Sequence, residues 1–448
     1  MDEAQSNSQN ISHSYKCLNS KCKPIRIEEK NRVTFTTFKI LGLFLIKWNE
    51  EEEMYSVHKI RFKIYYTLWF LWPLAGLGIA VLGKEFFNSD EASHHINDVI
   101  ETAFFVLGYA VVPAVKTYAI YLITKHLPGV LEDIASLSEV DIGFQTPLTI
   151  HLPSREQKSL LPKKAAQKAL KDRQLDRSLF VFPVITVFVS VITFIAAWVY
   201  GLIRVIEWDT LKAEWPFITM QFTYLTLPTI TTWFCVIFIE WLRMVYEALR
   251  VEAEYYHYNM IKQLKETNEA TPEVSLTEWK IKSLGDYVDK LQEIFNGLSE
   301  GFIKYILGIN FLVFLLSSIF SSVKLLLGYE HIIYMIPLSI AIFHVGLACY
   351  KSNCLIDEYT RITSVLNNVL RLQRRNPNLI PYNELHILRE NLLDSPPQVV
   401  IFGDFRIGNG FLIAIQGFII SYAVLANDVL AIQENNGTNC NTTIENIY

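Results

Sequence analysis

The stretch that decides the fold runs from Tyr305 to Phe320 and reads Tyr-Ile-Leu-Gly-Ile-Asn-Phe-Leu-Val-Phe-Leu-Leu-Ser-Ser-Ile-Phe. It carries no charged side chain and lies within a longer apolar segment, residues 301–327. A helix needs roughly 20 such residues to cross the hydrocarbon core of a bilayer. Six further segments have this character, and they are residues 62–83, 97–123, 178–203, 215–241, 332–350 and 408–432. The sequence therefore predicts an all-α, polytopic membrane protein with seven transmembrane helices.

The basic residues between these segments fall on one side of the membrane. If the N-terminus is cytoplasmic, residues 1–63, 124–177, 242–304 and 351–407 lie inside and hold 11, 9, 8 and 7 Lys and Arg, which is 35 of the 40 in the chain. Cytoplasmic loops of membrane proteins carry such an excess. We therefore expect a cytoplasmic N-terminus and an extracellular C-terminus, which is the reverse of a G-protein-coupled receptor.

The cytoplasmic connections are long, and parts of them continue the helical periodicity of the spans. Their apolar faces, which include Leu291, Phe295 and Leu366, pack either on each other or on neighbouring subunits. The predicted organisation is a cytoplasmic N-terminal segment (1–61), transmembrane helices 1–4 (62–241) with an inner loop (124–177), a cytoplasmic helical anchor (242–300), helices 5–6 (301–350), a second anchor segment (351–407), the last span (408–432) and an extracellular tail (433–448).

Several classes of function are disfavoured. His344 stands alone in the sixth span, and a single histidine there is more often a packing or hydrogen-bonding residue than a ligand. The Cys17/Cys22 pair has no second pair of ligands, so we expect no catalytic residue, no metal site and no cofactor. The net charge of −5 combines basic inner loops with acidic outer ones and gives no reason to expect a nucleic-acid partner. The chain shows no internal repeat of the kind found in many secondary transporters.

The last span is unusually polar. Ser421, Leu425 and Asp428 recur at helical spacing on one face, with Gln416 loosely aligned earlier along the helix. A polar side chain facing lipid is costly, so this face should meet protein or water. One such stripe cannot enclose a conduit, but several copies around an axis can.

The C-terminal segments resemble the signature of the arthropod gustatory receptor family. In that family an aromatic-Gly-x-Phe stretch, here Phe402-Gly403-Asp404-Phe405, leads to a final helix with a Thr-Tyr pair, here Ser421-Tyr422. Asp428-Val429 stand where the family has Gln-Phe, which is a departure. Near the start, residues 38–43 (Phe-Lys-Ile-Leu-Gly-Leu) resemble a segment shared with insect odorant receptors.

The resemblance implies a ligand-gated, non-selective cation channel of the plasma membrane, expected in sensory neurons. It implies a homotetramer, or a heterotetramer with related receptors, that detects a small soluble tastant such as a sugar or a bitter compound. The final helix of each subunit would line the pore, with pore or gate residues Gln416, Ser421, Tyr422, Leu425, Asp428 and Val429. An odorant-receptor-type channel and a membrane transporter are the alternative interpretations.

The resemblance also implies a ligand pocket within each subunit, near the outer half of the spans. The aromatic and polar candidates at that depth are Phe105, Trp198, Gln221, Tyr224, Ser318 and Tyr334. Each of them has a plainer explanation as an interfacial or helix-packing residue. Asn436 and Asn441 lie in Asn-x-Thr sequons on the expected extracellular tail and are candidate glycosylation sites.

The predicted topology can be tested with epitope tags. A tag before Met1 should bind antibody only after the cells are permeabilised, whereas a tag after Tyr448 should bind on intact cells, because the basic loops hold the N-terminal side inside. Immunofluorescence on intact and permeabilised cells measures both. Labelling of the N-terminal tag on intact cells would contradict the topology.

Overall fold

The structure is a computed structural model. It describes residues 28, 32–52, 54–67, 71, 112–137, 228–247, 249–250, 253–254, 257, 261, 274–326, 331–375, 382–394, 396–402, 405–425 and 428.

Helices dominate these residues, which confirms the mostly helical fold. In chain order the elements are α1 (Arg32–Ile40), β1 (Ile46–Asn49), β2 (Met54–Val57), α2 (Val112–Ser136), α3 (Pro228–Glu247), α4 (Val274–Leu298), a π-helical turn (Ser299–Ile303), α5 (Lys304–Leu326), α6 (His331–Arg375), α7 (Tyr382–Asp394), β3 (Val400–Ile401), β4 (Phe405–Arg406) and α8 (Asn409–Leu425).

Three helical stretches among the described residues are long and apolar enough to cross a membrane. They are Pro228–Glu247, Gly285–Ile319 and Leu338–Leu372, and Asn409–Leu425 is a shorter apolar helix. The predicted span 178–203 and most of 62–83 lie outside the described residues. The count of seven spans and the orientation of the termini stay predictions.

Two short antiparallel hairpins modify the all-α prediction. In the first, Ile46 pairs with Val57 and Trp48 with Tyr55. In the second, Ile401 pairs with Phe405. The first hairpin packs on α2, where the Tyr55 backbone N–H donates to Glu132 Oε1 at 3.2 Å. The alternation of Ile46 and Trp48 in one strand and of Tyr55 and Val57 in the other is typical of a β-hairpin.

An aromatic cluster joins α1 to the membrane helices. Phe38 meets Phe234 of α3 edge to face with ring centroids 5.1 Å apart, and Phe238 of α3 meets Phe302 of the π-helical turn at 5.9 Å. Phe35 and Phe38 are each only 1% exposed. Burial of large aromatic side chains contributes strongly to packing free energy, so this cluster fixes α1 against α3.

Gly42 ends α1 and requires the absence of a side chain. Its φ of 74° is left-handed, and the Leu43 backbone N–H donates to the Phe38 carbonyl at 2.9 Å, as in a glycine-capped helix end. A Cβ built on Gly42 would lie 2.5 Å from the Tyr65 ring. The Tyr65 hydroxyl donates to the Ile40 carbonyl at 2.6 Å. The cap therefore also positions the helical segment at residues 59–67.

Two glycines let the segment that leads into α5 approach α2 closely. A Cβ on Gly297 would lie 3.2 Å from Val130, and one on Gly301 would lie 3.1 Å from His126. Gly301 belongs to the π-helical turn that joins α4 to α5. Because α4, the turn and α5 follow one another without a break, packing at this contact connects the anchor directly to the fifth span.

α6 has 45 residues and ends at Arg375, so it is longer than the roughly 20 residues that a helix needs to cross a bilayer core. The apolar faces of the anchor helices pack within the chain. Leu291 is fully buried, and Phe295 and Leu366 are 7% and 3% exposed. The interpretation that these three side chains join neighbouring subunits is therefore wrong, because each one already lies in the core of its own subunit.

We expect Gly42→Ala to lower the stability of the protein by about 1–3 kcal/mol, because it adds left-handed strain and a clash with Tyr65. Gly346→Ala is the matched control, since nothing lies within 4 Å of a Cβ at Gly346. Thermal unfolding of the detergent-purified chain, followed by size-exclusion chromatography, measures both. Equal midpoints for the two variants would contradict the account of the cap.

Candidate functional site

The last helix, α8, places one face against its own subunit. Leu412, Ile415, Ile419 and Ala423 lie on this face, and Ile419 and Ala423 are 7% and 4% exposed. Phe411 stacks on Phe311 of α5 with ring centroids 5.7 Å apart and an interplanar angle of 26°. Apolar packing therefore fixes the rotation of α8 about its own axis.

The opposite face holds the predicted stripe. Ser421, Leu425 and Asp428 are all exposed, and Leu425 is 59% exposed. At 100° per residue, Gly410, Ala414 and Gly417 fall on the same face. No element in the described part of the chain covers this face. Tyr422 lies on the flank of the helix and stacks on Phe418 at 5.9 Å.

Gln416 does not share this stripe. It lines a groove between α5, α6 and α8, on the subunit-facing side of the last helix. Five residues separate Gln416 from Ser421, which rotates the two positions by about 140°. The helical period therefore separates exposed Gln416 from the stripe, and its role as a pore residue stays a prediction.

Ser318 lines the same groove as Gln416 and is 2% exposed. The groove encloses about 260 Å³, part of it open, and its other walls are apolar. The structure thus brings together one predicted ligand residue and one predicted pore residue. Tyr334 belongs to α6, and its side chain lies outside the description. The remaining predicted positions lie outside the described residues: Phe105, Trp198, Gln221, Tyr224, Val429, Asn436 and Asn441.

The junction before α8 is tightly packed. Phe402, in the turn of the β3–β4 hairpin, has a φ of 48°, which is a strained conformation for an aromatic residue. Its ring covers Gly308 of α5, where a Cβ would lie 3.3 Å away. Asn353 of α6 donates to Asn409 Oδ1 at 2.6 Å. Phe402 and Asn409 therefore link α5 and α6 to the start of the last helix.

A buried ionic cluster ties α3 to α6 near this junction. Glu240 Oε2 lies 2.8 Å from Lys351 Nζ, and Glu240 Oε1 lies 2.8 Å from an Arg243 guanidinium nitrogen. Arg243 also reaches Glu247 at 3.4 Å. The Glu240 and Lys351 side chains are 3% and 5% exposed. Two carboxylates and two cations balance in charge, which lets the cluster persist in a low-dielectric environment.

A second bonded pair locks α3 to α6 deeper in the span. The Trp233 indole N–H donates to His344 Nε2 at 3.0 Å, and His344 Nδ1 lies 2.7 Å from the Ile340 carbonyl. Both imidazole nitrogens are thus satisfied if the proton sits on Nδ1. The interpretation of His344 as a packing and hydrogen-bonding residue is confirmed.

Arg250 continues the same contact after the end of α3. Arg250 Nε donates to Glu358 Oε2 and Arg250 Nη1 donates to Glu254 Oε1, each at 2.7 Å. Burial lowers the pKa of Arg250, but the hydrogen bonds to Glu358 and Glu254 raise it more, so the net pKa lies above the ordinary value. Arg250 therefore stays charged and holds the helical residues that follow α3 on α6.

Sequence reasoning missed the ionic cluster and a polar clamp centred on Asn310. Asn310 Nδ2 donates to Thr231 Oγ1 at 2.8 Å, to Thr232 Oγ1 at 3.0 Å and to the Pro228 carbonyl at 3.2 Å. The available signal was the position of Glu240, Lys351 and Asn310 within or at the end of apolar segments. A polar residue there needs a partner, although the sequence does not identify which one.

The ionic cluster can be tested by removing one partner. We expect Lys351→Met to lower stability by about 3–5 kcal/mol, because it leaves Glu240 with one of its two cations. Arg361→Met is the control, since Arg361 forms a 2.6 Å ion pair with Glu358 but its side chain is 55% exposed; such pairs contribute about 0–1 kcal/mol. Thermal unfolding in detergent compares them, and a Lys351→Met midpoint no lower than that of Arg361→Met would contradict the account.

Comparison with known proteins gives a likeness of fold. No family model and no curated protein matches the chain. The structure of the insect olfactory receptor OR5 from Machilis hrabei in complex with eugenol matches with a TM-score of 0.50 and 13% identity, over 90% of this chain and 98% of that one. The structure of the same receptor described without eugenol matches with a TM-score of 0.49 and 12% identity, over the same shares. At this identity the likeness to the eugenol complex shows the fold alone: the chain has the helical membrane fold of an insect olfactory receptor.

Proposed function

We propose that this protein is a subunit of a chemosensory, ligand-gated cation channel of the gustatory type. The observation that carries the proposal is the face of α8 that bears Ser421, Leu425 and Asp428 and points away from its own subunit. The olfactory-receptor fold and the gustatory-type signature support the same conclusion.

A polar face on an apolar helix requires protein or water beside it, because exposure to lipid is costly. In the proposed assembly, four copies of α8 surround a central axis and turn this face toward it. Gly410, Ala414 and Gly417 are small, which lets neighbouring helices approach closely near the cytoplasmic end. Ser421, Leu425 and Asp428 then line the upper part of the conduit.

A carboxylate ring and an apolar constriction would control conduction. Asp428 would place a ring of carboxylates near the extracellular end, and acidic rings in other channels attract cations. Leu425, with Val429 beside the ring, would form an apolar constriction that closes the resting pore by dewetting. Tyr422 stacks on Phe418 at the flank of the helix and would pack against the neighbouring subunit.

Subunit contacts in this proposal use side chains that the chain leaves exposed. Ile387 and Leu393 of α7 are 56% and 48% exposed, and Ile413 and Ile420 of α8 are 68% and 65% exposed. We propose these exposed side chains for the subunit contacts instead of Leu291, Phe295 and Leu366, which are buried in the core of the single subunit. The assembly would be a homotetramer or a heterotetramer with related receptors.

The ligand would be a small soluble tastant, such as a sugar or a bitter compound. The proposed pocket still includes Phe105, Trp198, Gln221, Tyr224, Ser318 and Tyr334. Ser318 shares its groove with Gln416 of α8, so a ligand at that groove would contact the last helix directly. That contact gives a physical route from ligand binding to the rotation of α8.

An odorant-type channel is the second candidate, and the fold likeness to an olfactory receptor favours it. The Phe402-Gly403-Asp404-Phe405 stretch and the Ser421-Tyr422 pair favour the gustatory type. Volatile aromatic compounds, such as the eugenol named for the similar structure, are the ligand class that separates the two.

Whole-cell recording tests the proposal. Cells expressing the chain alone, and cells that also express related receptors, are exposed to sugars, bitter compounds and volatile aromatics including eugenol. Ligand-evoked, reversible cation currents with sugars or bitter compounds support the gustatory type, and responses confined to volatiles support the odorant type. Substrate flux without gated current would contradict the channel and favour a transporter.

The pore assignment predicts that Asp428→Asn shifts the reversal potential in asymmetric calcium and sodium solutions and reduces relative calcium permeability by at least about twofold, because it removes the carboxylate ring. Asp357→Asn is the matched control, since Asp357 is an exposed carboxylate on the anchor part of α6. Unchanged calcium permeability and unchanged divalent block in Asp428→Asn would remove Asp428 from the pore.

A further inference from the structure

A groove between α2, α3 and α5 has no role in the proposed channel. It encloses about 370 Å³, part of which opens to the surface. Val115 and Leu122 line its α2 side, and Tyr305, Ile309 and Val313 line its α5 side. It therefore follows the transmembrane direction of α5 over two helical turns.

The length of the groove matches one leaflet of a bilayer. The eight-residue step from Tyr305 to Val313 advances about 12 Å at 1.5 Å per residue. Half of a hydrocarbon core of roughly 30 Å is about 15 Å. The groove thus has the length of the hydrocarbon layer contributed by one leaflet.

The floor of the groove offers an occupant apolar contact and few hydrogen bonds. Its polar lining side chains include Asn310 and Thr231, and these bond to each other at 2.8 Å. The Asn310 amide also donates to the Pro228 carbonyl at 3.2 Å, and so does the Thr231 hydroxyl. Because these donors are already engaged, a hydrocarbon chain suits the groove better than a sugar or another polyhydroxylated ligand.

The end of the groove nearest the predicted anchor carries a positive charge. Lys125 follows Tyr118 and Leu122 on the same face of α2 and is exposed. Among the described residues Lys125 forms no ion pair. Tyr118 and Tyr305 at the rim are 47% and 45% exposed, and tyrosine is typical of the membrane–water interface.

We infer that this groove binds one acyl chain of an anionic phospholipid, whose headgroup lies against Lys125. With the N-terminus cytoplasmic, the charged end faces the cytoplasmic leaflet, which carries the anionic lipids of the cell membrane. The lipid fills the gap between α2 and α5 directly beside the contact of His126 with Gly301. Its binding is independent of channel activity, so the failure of one proposal is separable from the failure of the other.

Native mass spectrometry of the detergent-purified full chain tests the site, with phosphatidylserine and phosphatidylcholine of identical acyl chains as probes. We expect the chain to bind phosphatidylserine about tenfold more tightly than phosphatidylcholine. Lys125→Gln should reduce that preference to about twofold or less. Equal affinity of the unmodified chain for the two lipids would overturn the headgroup assignment.

The acyl-chain part of the site is tested by filling the groove. Ile309→Trp should weaken the binding of both lipids about tenfold, whereas Leu312→Trp should not, because Leu312 is 46% exposed on the same helix outside the groove. Undiminished binding in a monodisperse Ile309→Trp preparation would overturn the groove assignment, as would displacement of phosphatidylserine by cholesterol. If Ile309→Trp aggregates, the lysine variant decides alone, because it changes only a side chain with solvent access.

Discussion

A polar group inside a bilayer has no water to bind, and three polar side chains in the described core of this protein, Asn310, His344 and Glu240, each find a partner on an adjacent helix. Asn310 of α5 bonds to the first turn of α3. His344 of α6 bonds to Trp233 of α3. Glu240 of α3 lies between Arg243 and Lys351. α3 takes part in all three contacts, so it is the element on which α5 and α6 are aligned.

The last helix departs from this arrangement. Its apolar face is packed against α5 and α6, but Ser421, Leu425 and Asp428 have no covering element among the described residues. The same physical rule that explains the paired groups in the core therefore requires a further partner for α8. A second copy of the chain and a water-filled axis together meet that requirement, which is why an assembled pore is the function proposed.

The junction before α8 connects the aligned helices to this unpaired one. Phe402 covers Gly308 of α5, and Asn409 accepts from Asn353 of α6. Glu240 of α3 pairs with Lys351 of α6, and Lys351 lies two residues before Asn353. A small displacement of α3 relative to α6 would therefore also displace the first turn of α8, because these contacts are short.

The sequence by itself determined the helical membrane character, the extended sixth helix and the polar stripe on α8, because hydrophobic length and helical period are local properties of the chain. It also placed His344 correctly as a packing residue. The tertiary structure decided the rest. The apolar faces around Leu291 and Leu366 could have served either a single subunit or an assembly, and only packing buried them within one chain. The helical period separates Gln416 from the stripe, but only the packing of Phe411 on Phe311 decided which face of α8 meets its own subunit. The partners of Glu240 and Asn310 on other helices lie about 80 to 110 residues away along the chain, and no local pattern encodes which distant helix will supply them.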